Sequence, residues 1–345
     1  MRLSLLCLLA LFIVSSCTTS VSFSGLRPAD VSLPGEVKSL VLVNRYKPEK
    51  KNAWLNVLEG IFTREMPFAD AQGVQRALEG LSSRLVSGPK FTIHIANEEL
   101  AGSGTGKFPP PLTQEDVQRL CNQYQADAVI ALEAFDSDIS VVTEPRQNKR
   151  TENGVEIIDN YFEAIETVQI TMGWRLYSKA SGAIIDEHRL FSARSFSNAG
   201  KTADLARKGL LFPGEAIRQT GFEGGDAYGI RIAPSWVTYN REIYTRAKRF
   251  GSMKRAGKMA RRGDWKEAAD IWEKLAAHPQ QKVARRAAYN RAVASEFLGN
   301  YDEALQWARK AADKFGSKKA NIYISVLKSR LAELDRLDQQ MKDTN

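Results

Sequence analysis

The three histidines are the first candidates for general-base or metal chemistry, and none has a suitable neighbour in the sequence. His94 and His188 fall inside predicted strands, and His278 falls in a loop between predicted helices. A zinc site needs further ligands at characteristic spacings, and a cysteine–histidine pair must meet in the fold. Cys121 lies on the apolar side of a predicted helix, where we expect a small buried hydrophobe. The sequence therefore predicts no catalytic residue, no metal and no cofactor, and we expect the chain not to be an enzyme.

The segment "AGSGTGKF" at residues 101–108 has the glycine content of a phosphate-binding loop but lacks its key positions. Ala101 replaces the first glycine of the G-x-x-x-x-G-K-[ST] pattern, and Phe108 replaces the hydroxyl that would hold magnesium. Three prolines follow instead of a helix, so no helix N-terminus faces a phosphate. We expect a mobile loop that binds no nucleotide.

Cys17 is the residue with the clearest chemical prediction. Arg2 precedes an almost wholly apolar run at residues 3–14, too short to span a bilayer and typical of a secretory signal. Val14-Ser15-Ser16-Cys17 resembles the bacterial lipobox, which implies cleavage before Cys17 and lipidation of that cysteine. An ordinary signal peptide with a chance cysteine is the alternative. Residues 1–16 are thus predicted to be a lipoprotein signal peptide and residues 17–36, rich in small residues, a flexible tether.

The remaining chain divides by pattern into two predicted domains. Residues 37–234 alternate short apolar runs at 37–45 and 90–97 with helical stretches at 69–85 and 113–124. A long strand at 126–142 and an antiparallel pair at 162–176 and 183–196 follow. This order predicts an α+β domain with a mixed sheet and helices on one face. Glu166 interrupts the apolar face of its strand, where we expect a partnered or edge carboxylate; residues 143–160 should be a polar loop or hairpin tip, and 198–235 an irregular connection.

Residues 235–345 are predicted to be all-helical, beginning with apolar residues at helical spacing from Trp236 to Phe250. Two segments, "GDWKEAADIWEKL" at 263–275 and "GNYDEALQWARKA" at 299–311, align at an offset of 36 residues. They resemble the tetratricopeptide repeat, which implies paired helices that hold a protein partner. The matching residues that we expect at turns and close helix contacts are Gly263, Trp265, Ala268, Gly299, Tyr301 and Ala304.

The positive charge is confined to the C-terminal part, where residues 241–345 carry 24 Lys and Arg against 13 Asp and Glu. Within it, Arg255, Lys258 and Arg262 share one helix face at spacings of three and four. Nucleic acid is the usual partner of such a run, but a lipidated envelope protein would not meet it. Two interpretations remain: a solvated surface, or contact with anionic lipid or an acidic protein.

Most of the chain resembles uncharacterised lipoproteins of Bacteroidota with C-terminal tetratricopeptide repeats, on the lipobox and the repeat. Its first half also resembles the α/β unit at the start of TolB and in the curli secretion lipoprotein, on strand order and the strand "ADAVIALEA". No acidic residue follows Cys17 before Asp30, so the acidic surface-export signal of that group is absent, as is an aspartate at position 18. The resemblance implies the outer membrane facing the periplasm, with the cell surface as the alternative.

These observations predict a lipid-anchored scaffold of the cell envelope that binds a protein partner through its repeats. One alternative is a subunit of an envelope secretion or assembly complex related to the curli secretion lipoprotein. The region 134–160 is too polar for the lipid-facing hairpin that such a pore requires. A hydrolase with an unrecognised site is the other alternative.

Overall fold

The computed structural model describes residues 18–46, 69–246 and 250–342, and the chain divides into two compact units. The α/β unit comprises residues 26–236 and 336–345, and the helical unit comprises residues 1–25 and 237–335. The predicted fold class, an α+β domain followed by an all-α region, is confirmed. The predicted signal peptide and Cys17 lie outside the described residues.

The described strands are β1 (Thr18–Arg27), β2 (Ser39–Asn44), β3 (Thr92–Glu99), β4 (Ala128–Glu152), β5 (Val155–Ser178), β6 (Ile184–Gly200) and β7 (Ser235–Tyr244). The first four helices are α1 (Ala69–Val86), α2 (Gln114–Tyr124), α3 (Ala203–Lys208) and α4 (Pro213–Ile232). The others are α5 (Gly251–Arg262), α6 (Trp265–Ala276), α7 (Gln281–Phe297), α8 (Tyr301–Arg309), continued by a π-helical turn at Lys310–Lys314, and α9 (Lys318–Lys342).

The sheet of the α/β unit has the order β3-β2-β4-β5-β6, with parallel pairing around β2 and antiparallel pairing from β4 onward. Leu40 and Leu42 of β2 join the core under α1 and α4, whereas Val41 and Val43 join the core under α2. All four side chains are fully buried, as the uninterrupted apolar run of a central strand requires. The prediction of helices on one face is therefore wrong, because α2 covers the second face.

The glycine-rich segment that was predicted to be an irregular connection forms most of helix α4. Its glycines face α1 at very short range: a Cβ on Gly225 would lie 1.8 Å from the carbonyl oxygen of Ala77, and one on Gly221 would lie 2.6 Å from that of Gly73. In the opposite direction, a Cβ on Gly80 would lie 2.1 Å from the carbonyl oxygen of Phe222. Because these glycines have no side chain, the two helices pack backbone against backbone. The sequence-based prediction took the glycines as a sign of irregular structure and so missed the helix.

Strands β4 and β5 form one long hairpin that contains the segment 143–160. The pairing continues without a break from Ala134↔Gly173 to Glu152↔Val155. Asn153 and Gly154 close it with positive φ angles of 52° and 80°, as a type I′ turn requires. Residues 144–156 are all exposed, so the tip is a two-stranded ribbon with solvent on both faces.

The helical unit packs its consecutive helices α5 through α8 against one another around α7. Residues 287–296 of α7 are all buried, which makes it the central helix of the described part of this unit. Its core consists mainly of alanines, with Trp272, Tyr289 and Tyr323 as the largest buried side chains. Alanine keeps helix axes close because its side chain fills little of the space between them.

Two predictions at the edges of the helical unit are wrong. Residues 18–27, assigned to a tether, form β1, and residues 235–244, assigned to a helix, form β7, with which β1 pairs. Val21 of β1 is buried in the helical core, and Phe23 stacks on Tyr239 of β7 at a centroid distance of 5.3 Å. Ala29 and Leu33, also assigned to the tether, are buried in the described structure. The small and polar residues of 18–27 thus belong to β1, and its partner β7 lies more than 200 positions later in the sequence.

Candidate interaction surface

The two glycines of the sequence repeat lie at turns and make no close helix contact. Gly263 has φ +96° between α5 and α6, and Gly299 has φ +80° between α7 and α8. A Cβ at either position would meet nothing within 4 Å. Their assignment to packing contacts is therefore wrong: glycine is needed here because left-handed backbone disfavours other residues.

The other repeat positions occupy equivalent places in α6 and in α8, one helix pair later. Ala268 near the start of α6 and Ala304 near the start of α8 are fully buried. Trp265 and Tyr301, the first residues of the two helices, are half-buried. The Trp265 ring lies 3.7 Å from the centroid of Phe297, at the end of α7. The 36-residue offset thus corresponds to two successive helix–turn–helix pairs.

Polar side chains of α7 hold β7 along the inner face of these pairs. The Asn290 side chain accepts a hydrogen bond from the Tyr244 N–H at 2.8 Å and donates one to the Tyr244 carbonyl at 2.7 Å. Glu296 accepts two hydrogen bonds of 2.7 Å from the Arg241 guanidinium and one from the Tyr323 hydroxyl of α9. A strand of the same chain therefore covers this face of α7.

The outer face of α9 carries a pair of exposed apolar side chains, in addition to the 41% exposed Leu298 after α7. Ile322 is 70% exposed and Val326 is 37% exposed, four residues apart on one side of the helix. Between them, Tyr323 and further along Leu327 are buried against the rest of the unit. Consequently, the end of the stack and not its inner face is the candidate surface for a protein partner.

Arg255, Lys258 and Arg262 all lie on α5, with exposed side chains. Within the described ranges, none of the three takes part in an ion pair. The helix brings them to one face, as their spacing predicts, and it adds Lys254 and Arg261 to the same exposed side. Lys254 and Arg261 lie four residues before and three residues after Lys258, so the same helical spacing applies to them.

A buried charged cluster in the α/β unit was not predicted. Glu133, at a bulge in β4, accepts hydrogen bonds from Arg45 at 2.7 Å, Arg175 at 2.7 Å and the Tyr177 hydroxyl at 2.6 Å. Its side chain is completely buried, and those of both arginines are at least nine-tenths buried. Burial, together with the hydrogen bond to Glu133, raises the pKa of Tyr177 to about 12. Because each partner is satisfied, the cluster is a structural device of the sheet.

This cluster fastens the glycine-rich loop at residues 101–108, which was predicted to be mobile. Arg45 donates a hydrogen bond of 3.0 Å to the carbonyl of Ala101, and the Arg175 guanidinium lies 4.5 Å from the ring centroid of Phe108. A Cβ on Gly102 would lie 1.6 Å from the carbonyl oxygen of Arg45. The glycine thus allows close contact with the sheet, and the aromatic residue that replaces the magnesium-binding hydroxyl is an anchor.

The described side chains form no cluster of metal ligands. Across residues 18–46, 69–246 and 250–342, no three His, Cys, Asp or Glu side chains come together as a metal site. The histidines lie apart in β3, β6 and the α6–α7 loop, where His188 stacks on Tyr228 and His278 packs on Phe250. Burial raises the pKa of the Cys121 thiol to about 11, which disfavours the reactive thiolate.

Glu166 lies on β5 and is fully buried.

Among the helices within residues 18–46, 69–246 and 250–342, none has the length and apolar character needed to cross a bilayer.

Comparison with solved structures finds only distant similarity. PelC from Paraburkholderia phytofirmans, crystallised as a dodecamer, is 13% identical over 62% of this chain and 99% of its own, with a TM-score of 0.23. A homologue of the neuraminyllactose-binding hemagglutinin from Helicobacter pylori is 11% identical over 57% and 81%, with a TM-score of 0.25. A Caulobacter crescentus protein described as a lipoprotein is 13% identical over 46% and 74%, with a TM-score of 0.17. Similarity at this level assigns no function.

No curated protein matches the chain. Two family models do. The domain of unknown function DUF6340 matches residues 254–330, which cover α5 to α8 and half of α9. The domain of unknown function DUF8603 matches residues 37–244, from just before β2 to the last residue of β7 and thus more than half of the 345 residues. The chain belongs to the DUF8603 family.

Proposed function

We propose that the chain is a non-enzymatic, lipid-anchored scaffold of the bacterial cell envelope whose helical unit binds a protein partner. The observation that carries this proposal is the exposed apolar pair Ile322 and Val326 on α9. Helical repeats bury their apolar faces against the next repeat, so a terminal helix normally presents a polar outer face. An exposed isoleucine and valine at this position indicate a further surface that stacks on α9.

The rest of the unit supports the same assignment. The buried polar side chains of α7 already have partners in this chain. Asn290 bonds to Tyr244 of β7, and Glu296 accepts hydrogen bonds from Arg241 of β7 and Tyr323 of α9. Interfaces of interaction proteins concentrate their binding free energy in a few apolar or aromatic side chains. A partner that docks on α9 would cover Ile322 and Val326 without displacing the strand.

A photo-crosslinking amino acid placed at position 322 of the full-length protein in intact cells tests the docking surface. We expect one specific crosslinked protein from position 322 and from position 326, and none from Lys328, which is exposed on another side of α9. Ile322→Asp should abolish the crosslink formed from position 326. Equal crosslinking from position 328, or none from 322 and 326, would refute the partner assignment.

Lipid attachment is tested separately. Replacing Cys17 with Ala should abolish labelling by a fatty-acid analogue and release the protein from the membrane fraction, because Cys17 follows the apolar run at a lipobox-like cleavage site. A Cys121→Ala variant is the matched control, since Cys121 is buried and should not affect labelling. Retained labelling of the Cys17 variant would show that the anchor is elsewhere.

A further inference from the structure

Helix α5 carries five cationic side chains on one exposed arc. At 100° per residue, Lys254, Arg255, Lys258, Arg261 and Arg262 fall within about 120° of the helix circumference. Met253, Ala256 and Ala260 occupy the opposite side and are buried in the helical unit. The helix contains no acidic residue.

These cations are also not engaged elsewhere in the described structure. Each of the five side chains is exposed, and none forms an ion pair with a described residue. By contrast, Arg241 and Arg291 in the same unit are buried in bidentate pairs with Glu296 and Glu303. The unit thus separates its structural arginines from a continuous cationic strip, which is called the α5 basic strip below.

Strand β1 brings the proposed lipid site to this unit. β1 begins at Thr18, the residue after Cys17, and Val21 is buried in the core that also contains Met253 and Ala256 of α5. A flexible segment of about 20 residues after the lipid would have allowed the helices to stand away from the bilayer. Instead, the first half of that segment, residues 18–27, forms β1. If Cys17 is lipidated, the anchor is attached directly before a strand of the helical unit, without a flexible segment between them.

The direction of β1 places its start near the chain that leads to α5. Just beyond β1, the Asp30 and Val31 N–H groups donate hydrogen bonds of 2.8 and 3.0 Å to the carbonyl of Arg231, just before β7. The end of β1 therefore meets the start of β7, which makes the pair antiparallel, and Thr18 lies toward Tyr244 at the end of β7. Six residues, 245–250, separate Tyr244 from the first residue of α5, so this connection spans at most about 25 Å.

From this geometry we infer that the α5 basic strip rests on anionic phospholipid headgroups of the membrane that holds the lipid anchor. A cysteine lipidated at a lipobox carries more than one acyl chain, which is enough for attachment, so a cationic surface would affect the orientation of the unit on the bilayer. Each Lys or Arg near an anionic bilayer increases binding roughly fivefold, and this effect fades within a Debye length of about 8 Å in physiological salt. The strip would therefore orient the helical unit on the bilayer, with the anchor and α5 on the same side. This inference deepens the proposed function by fixing which side of the scaffold faces the membrane.

The test uses the mature chain with Cys17→Ser, so that binding depends on the protein surface alone. We expect it to bind vesicles of phosphatidylcholine and phosphatidylglycerol more tightly than vesicles of phosphatidylcholine, with the difference shrinking as salt is raised. Replacing all five strip residues with Gln should weaken binding to the anionic vesicles at least about tenfold, since loss of only two contacts of this size gives that factor. The matched control removes five exposed charges elsewhere on the described helices, by Gln substitution of Lys274, Lys310, Lys314, Lys318 and Lys328.

Binding that ignores vesicle charge, or an equal loss in the control variant, would overturn the inference. The assay uses protein without the covalent lipid on Cys17 and without the protein partner. Its failure therefore does not change the lipidation and crosslinking results. Conversely, a failed crosslink at Ile322 does not change the vesicle result.

Discussion

The buried carboxylate of Glu296 offers the sharpest test of how β7 is held in the helical unit. The side chain is completely buried and joins three elements: α7, the Arg241 guanidinium of β7 and the Tyr323 hydroxyl of α9. Glu296→Ala would leave Arg241, only 12% exposed, without its carboxylate. The loss of one partner of a buried pair costs about 3–5 kcal/mol, because the remaining charge stays desolvated.

This free energy corresponds to a large change in thermal stability. A loss of 1 kcal/mol lowers the midpoint of a domain of roughly 100 residues by about 4 °C or more, so Glu296→Ala should lower it by at least about 12 °C. The assay is thermal unfolding of the full chain followed by circular dichroism. Amide hydrogen exchange of β7 should show that this strand loses protection together with α7.

Glu273→Ala is the matched control for this substitution. Glu273 also bonds to an arginine of α7, at 3.3 Å from Arg291, but its side chain is 54% exposed. Arg291 keeps its bidentate bond to Glu303, so the change should cost less than about 1 kcal/mol. If the Glu296 and Glu273 variants unfold at the same temperature, the buried cluster does not stabilise the unit as argued.

Further predictions concern single residues. Tyr177 is kept protonated in the folded state, so its contribution to stability is full below pH 10 and is lost as the pH rises from about 10 to about 12; Tyr177→Phe should flatten the unfolding midpoint against pH in that window. Gly299→Ala should cost about 1–2 kcal/mol in denaturant unfolding, with Gly299→Asn less harmful, because the position needs left-handed backbone. Ala304→Leu should overpack the start of α8 and cost about 1–3 kcal/mol, measured on the full chain because β1 belongs to the same unit. Cys121 should resist alkylation at neutral pH until denaturant is added, as mass spectrometry can show, because its thiol is buried and its pKa is about 11; fast alkylation in the folded state would contradict its burial.

The elements predicted well from the sequence are those that local patterns specify. The apolar run at 37–45 contains β2, and the helical spacing at 69–85 matches α1 to within one residue. The helical stretch at 113–124 contains α2, whose N-cap Thr113 accepts a hydrogen bond from the Asp116 N–H. Such signals depend on neighbours in the chain, so they need no knowledge of the rest of the fold.

The elements predicted wrongly are those that distant contacts create. The segment "SWVTYNREIY" has apolar residues at both helical and alternating spacing, and pairing with β1 decides in favour of a strand. The glycines of α4 are poor for a helix in isolation, yet close contact with α1 requires them. For the candidate site, the repeat motif identified the helix pairs, but it could not show that β7 fills their inner face or that Ile322 stays exposed.

Because β1 pairs with β7, the helical unit is interrupted in sequence by nearly the whole α/β unit, and this arrangement constrains the order of folding. Bringing the ends of an unstructured loop of about 200 residues together costs nearly 5 kcal/mol of chain entropy. If residues 26–236 fold first, the bonds from Asp30 and Val31 to Arg231 already hold the two ends side by side. Strand β1 then meets β7 at almost no further entropic cost, and the helices that follow complete the unit. Refolding should therefore show a kinetic intermediate in which the α/β unit is protected from hydrogen exchange before β1 and α7 are.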